Sequence, residues 1–171
     1  MRLIKLAFIS IAFFAFLITG ISLFFPSQVT ISKAINIGAS RDSILSQIKN
    51  INNWKKWYPG FDTLPLVAGD QKNGNTVSAK INEIAIILTG ATDSSVIAEL
   101  RSNNKRAVMD NWLTIIYPHT DSVTLQWSMH FNLKWYPWEK FSSLLLENRY
   151  APQMEKGLAN LKALLEKNAE R

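Results

Sequence analysis

Polar and apolar positions alternate most sharply between Val123 and Leu133. Val123, Leu125, Trp127, Met129, Phe131 and Leu133 are separated by Thr124, Gln126, Ser128, His130 and Asn132. That period of two predicts a strand with one apolar and one wetted face. The preceding run, Ala107 to Tyr117, turns over at Pro118-His119-Thr120-Asp121. With Tyr117 placed opposite Val123, Ile115, Leu113, Asn111 and Met109 fall opposite Leu125, Trp127, Met129 and Phe131 in turn. Asn111 alone interrupts that apolar face.

Other segments carry equally local signals. Val29 to Ile37 predicts a strand with Val29, Ile31, Ile35 and Ile37 on one face. A helix follows, with Ser40 as cap, Asp42 in the first turn and Ile44, Leu45, Ile48 and Ile51 as its apolar stripe. A second short helix is expected from Asn53 to Trp57, stopped by Pro59-Gly60. Between there and residue 133 strand-like runs alternate with reversals at Asn73-Gly74, Gly90 to Ser94 and Ser102 to Lys105. The chain closes in a long helix, with Pro152 in its first turn and Met154, Leu158, Leu161 and Leu165 forming a stripe on one side. A curved antiparallel sheet wrapped around that helix buries both apolar surfaces at once, an α+β arrangement.

The pattern fails in one place. Leu6 to Phe25 is an apolar run without a charge, interrupted only by Ser10, Thr19, Gly20 and Ser22. As a helix it reaches roughly 30 Å, the thickness of a bilayer's hydrocarbon core. The expected division is therefore an N-terminal transmembrane anchor over residues 1–26 and a folded domain over 27–171. Arg2 and Lys5 precede the run and Lys33 is the first basic residue after it. This places the N-terminus in the cytoplasm and the domain on the exported, periplasmic side, with a single pass. A cleaved signal is the competing reading, with Gly20-Ile21-Ser22 as the small-x-small triplet.

Cysteine is absent, which excludes a disulfide framework and thiolate chemistry. The formal charge of +6 includes Arg2 and Lys5, leaving +4 beyond the anchor. The basic residues form no stripe interleaved with stacking rings, so no nucleic-acid partner is expected.

Ile35 to Ile44 (Ile-Asn-Ile-Gly-Ala-Ser-Arg-Asp-Ser-Ile), Asn53-Trp54-Lys55-Lys56-Trp57-Tyr58-Pro59, Pro137-Trp138-Glu139-Lys140-Phe141 and Glu155 to Lys162 together resemble the START-related polyketide cyclase/dehydrase superfamily (SRPBCC) and its membrane-anchored bacterial members. The match spans about residues 29–167. It implies the helix-grip fold and a cavity between sheet and long helix for a lipid-like or polycyclic molecule. It implies no particular reaction, because carriers, cyclases and hydrolases share the fold.

Chemistry-bearing residues are sparse. His119 and His130 are the only histidines, without a metal-ligand spacing, so no metal and no cofactor are expected. His130 falls opposite Asp110 on the wetted face, where an acid–base pair could not reach an internal ligand. No residue is assigned a catalytic role. Asn111 either fixes the polar end of an apolar ligand or marks a bulge or shifted register. The expected ligand-binding set is Asn111, Leu113, Trp127, Met129, Phe131, Met154 and Leu158, with ordinary core packing as the alternative for each. Trp135, Tyr136, Trp138 and Phe141 form either a lip at the membrane interface or packing beneath the last helix. Three functions follow. The leading one is a membrane-tethered module for a hydrophobic small molecule or lipid. The others are a cyclase- or hydrolase-type enzyme using the same cavity and an envelope protein-interaction module.

Overall fold

The computed structural model describes residues 2–102, 108–119 and 122–169. Helix α1 runs Arg2–Ser22 and exposes its apolar side chains along nearly its whole length. It ends before the apolar run does. Leu23, Phe24 and Phe25 donate to the carbonyls of Gly20, Ile21 and Ser22, three residues back. These tightened turns close the helix ahead of Pro26.

Strand β1, Gln28–Ile37, leads into α2, Arg41–Ile48. The backbone N–H of Ser43 donates to Ser40 Oγ, so the expected cap is in place. The next short helix differs from expectation. It is a 3-10 helix over Ile51–Lys56, capped by Asn50. Its tight winding sets Trp54 so that its indole N–H donates to the Ile48 carbonyl at 3.0 Å.

The remaining strands are β2 (Leu66–Ala68), β3 (Gln71–Lys72), β4 (Asn75–Thr76), β5 (Ser78–Ile81), β6 (Ile84–Ala91), β7 (Ser95–Ser102), β8 (Val108–His119) and β9 (Ser122–Asn132). β3 and β4 make a small separate hairpin on Asn73-Gly74, both with positive φ (51° and 77°), as its two-residue turn requires. The other seven form one antiparallel sheet in the order β1-β9-β8-β7-β6-β5-β2.

β8 and β9 pair in the expected register, Met109, Asn111, Leu113 and Ile115 standing opposite Phe131, Met129, Trp127 and Leu125. β8 continues through Pro118 to His119, two residues beyond the expected end, because the ladder breaks after Ile116 and resumes at His119–Ser122. A proline without an N–H fits such a break. Residues 103–107 and 120–121, where two expected turns fall, lie outside the described residues.

After β9 come α3, Pro137–Ser142, a 3-10 turn over Ser143–Leu145, and α4, Leu146–Ala169. α4 therefore starts five residues ahead of Ala151, and Pro152 lies inside it, not in its first turn. The unbroken passage from the 3-10 turn accounts for the early start. The stripe behaves as its spacing requires, with Met154, Leu158, Leu161 and Leu165 buried against the sheet. At the edge of the sheet Lys33 reaches across to Glu155 at 3.1 Å. The sheet thus grips α4, the helix-grip arrangement. Gly157 permits the approach, since a Cβ there would stand 2.7 Å from Trp127 Cζ3 and 3.0 Å from Pro59 Cδ.

Candidate functional site: a groove where the sheet meets the last helix

β9 ends, and α4 begins, at the end of the domain where β1 starts, because Gln28 pairs with Asn132. α4 then runs away from that end, and its Glu166 carboxylate accepts from Gly38 N–H beyond the far end of β1. Between the end of β9, α3 and the first turns of α4 lies a half-open groove of about 620 Å³. Phe131, Leu133, Leu146 and Tyr150 supply its apolar wall. Tyr136 and Trp138 stack in parallel at 4.9 Å along another side. Asn132, Lys134, Glu139 and Ser142 add polar groups. Glu139 Oε2 accepts from the Lys134 backbone N–H at 2.7 Å, which fixes that carboxylate at the rim.

Of the seven residues expected to bind a ligand, Phe131 lines this groove. Asn111, Leu113, Trp127, Met129, Met154 and Leu158 are brought together in the core, each with almost no exposed surface. Trp127 Nε1–H donates to Asn111 Oδ1 at 3.0 Å, so the polar break in the apolar face is half satisfied. Asn111 Nδ2 is buried and has no hydrogen-bond partner among the described residues. The same is true of Trp57 Nε1, whose ring meets Trp127 edge-on at 5.8 Å.

An aromatic cluster connects this core to the groove. Tyr58 stacks between Trp54 at 5.6 Å and Phe61 at 4.1 Å. Burial pushes the Tyr58 phenol well above its ordinary range, and Tyr150 adds to the rise. Tyr150 in turn lies 5.0 Å from the Phe131 ring in the groove wall. Sequence pattern points to the short Trp helix; it offers no sign that α3 and α4 would leave a groove between them, since Trp135 to Leu145 reads as a link.

On β9 the opposite face is polar, as the alternation requires, while β8 places the exposed Trp112 and Ile116 on that face. His130 stands opposite Asp110 in register, but its Nδ1 pairs with Thr30 Oγ1 at 3.0 Å and its ring lies 5.1 Å from Trp112. Ser32 with Ser128 and Asn36 with Thr124 continue the row. The His119 side chain lies outside the described residues. Among the described residues no group of three or more His, Cys, Asp or Glu is placed to hold a metal ion.

No curated protein matches the chain. Solved structures resemble it at low identity and therefore in fold alone. A START superfamily protein from Mycobacterium smegmatis aligns with TM-score 0.59 and 16% identity, covering 81% of this chain and 97% of its own. The Zhui aromatase/cyclase from Streptomyces sp. R1128 gives 0.59 and 10%, covering 83% and 96%. Norcoclaurine synthase from Thalictrum flavum gives 0.57 and 11%, covering 83% and 96%. The family model described as polyketide cyclase / dehydrase and lipid transport matches residues 28–166. By that match over most of its length, the chain belongs to the polyketide cyclase/dehydrase and lipid transport family.

Proposed function

We propose that this protein is a membrane-tethered module that holds a hydrophobic, lipid-like molecule with one polar end. Residues 1–26 are its single-pass anchor, the N-terminus cytoplasmic, and residues 27–171 are the binding domain on the exported side. The observation that carries the reading is the groove of about 620 Å³ at the junction of sheet and α4. It exceeds the ~300 Å³ at which small-molecule sites begin, and it combines an apolar wall with a few polar groups. The inner face of β9 leads from Phe131 through Met129 to Trp127, so a molecule entering polar end first at Phe131 is directed toward Asn111. Movement of α4's first turns away from β9 opens that path, and Asn111 Nδ2, which lacks a partner among the described residues, then meets the ligand's oxygen.

Photolabelling tests this. The full chain is placed in vesicles containing a diazirine-bearing fatty acid, irradiated, and mapped by peptide. The expected label falls on α1, from the bilayer, and on Phe131–Leu133 and Leu146–Tyr150, from the groove. Leu146→Arg removes the second set and leaves the first. Label confined to α1 in the parent chain overturns the binding reading.

Turnover on the bound molecule is a second reading, favoured by Tyr136, Glu139 and Tyr150 around the groove. It predicts that Glu139→Gln retains the molecule but changes its mass. An unchanged mass removes it.

A further inference from the structure

We infer that α3 and the 3-10 turn after it form a membrane-docking face, which seats the groove's mouth on the bilayer that holds α1. The inference rests on the anchor reading above and adds a second contact to it.

Trp135 and Trp138 are 64% and 66% exposed, and Leu144 and Leu145 are 60% and 66%. Large apolar groups exposed together over one short segment mark a contact surface. The structure also shows what lies beside them. Lys140, on α3 and only 4% exposed, donates from Nζ to the Phe25 carbonyl at 3.0 Å and to Ser27 Oγ at 2.6 Å. The Phe141 ring meets the Phe25 ring edge-on at 5.3 Å. The segment is therefore pinned to the chain immediately after α1, where Leu23 and Phe24 are themselves exposed.

If α1 crosses a bilayer, its C-terminal end lies at the lipid surface, and whatever is fastened there lies at that surface too. Indole rings favour this depth, having an apolar body and one N–H for the headgroup region. Lys134 and Arg149, both exposed and close to the two ends of this segment in sequence, suit anionic headgroups. Trp138 also belongs to the groove wall, so a docked segment leaves the groove opening onto lipid. The module then takes its amphiphile from the membrane without passing it through water.

The chain has no cysteine, which makes single labels clean. Leu145→Cys and Ala163→Cys each receive a nitrobenzoxadiazole dye. Both parent residues are exposed, and Ala163 lies ~26 Å along α4 from its start. Full chains are reconstituted in phosphatidylcholine–phosphatidylglycerol nanodiscs containing nitroxide-labelled lipid. Docking predicts several-fold stronger quenching at Leu145→Cys than at Ala163→Cys. Equal quenching in chains that have entered the discs overturns docking alone, and a protein partner or second copy then covers the face. Chains recovered outside the discs overturn the anchor reading and docking with it. Unlabelled chains give a second readout: brominated lipid should quench parent tryptophan fluorescence more than that of the Trp135→Phe/Trp138→Phe variant. No difference between them also counts against docking.

Discussion

Asn111 joins the core's packing to its chemistry. Its Oδ1 satisfies the Trp127 indole, while its Nδ2 has no partner among the described residues. Asn111→Leu therefore has two opposed effects of similar size, an orphaned indole N–H against a relieved amide N–H. The net change expected in unfolding free energy is within ~1 kcal/mol. Asn111→Ala also leaves a cavity and costs about 2–3 kcal/mol. If Asn111 meets the ligand's polar end, Asn111→Leu loses retained amphiphile while denaturant unfolding stays near the parent curve. Parent-like retention refutes that role. Tyr58 offers a pH test. An unfolded tyrosine loses its proton near its ordinary value of 10.0, whereas the buried Tyr58 keeps it. Its contribution is complete below that pH and is progressively lost as pH rises toward the higher folded value. The slope is at most about 1.4 kcal/mol per pH unit. Alkaline unfolding from about pH 10 upward should be shallower in Tyr58→Phe.

Among the elements, those with a two- or four-residue rhythm were legible from the chain itself. The β8–β9 register followed from the reversal at Pro118 to Asp121, which sets the two alternating runs face to face, and the α4 stripe from the spacing of Met154, Leu158, Leu161 and Leu165. Less legible were the elements whose form depends on neighbours. Pro152 suggests a helix start, yet α4 begins at Leu146 because the turn over Ser143–Leu145 feeds directly into it. A proline nearly two turns inside a helix removes one backbone bond, which packing against the sheet offsets. The family resemblance implied a cavity beside the long helix, but its place against α3 was not legible, because it is a space between elements and no residue pattern encodes an absence. Two substitutions test elements. Gly157→Ala should destabilise by about 1–3 kcal/mol in denaturant unfolding, since the added methyl meets the Trp127 ring. The ~1 kcal/mol gain in helix propensity works against this, so a stabilised variant contradicts the close approach. Lys140→Met unties α3 from Phe25 and Ser27. Faster proteolysis between Phe25 and Gln28 is expected, at a rate unchanged if the tie is incidental.

At the scale of the whole molecule, one end of the domain gathers everything that suggests a role. There α1 ends, Lys140 fastens α3, the tryptophans are exposed and the groove opens. The far end, where Glu166 meets Gly38, holds the close of α4 against the sheet. Such polarity suits a protein that handles a molecule at a membrane surface. Family membership supports a hydrophobic ligand or cyclase chemistry, and the groove's mixed lining supports an amphiphile. Native mass spectrometry of the full chain, released from nanodiscs, tests this most directly. The account predicts a protein peak carrying one amphiphile, largely lost in Leu146→Arg while that variant unfolds like its parent. A bare protein peak, or an adduct that Leu146→Arg leaves untouched, contradicts it.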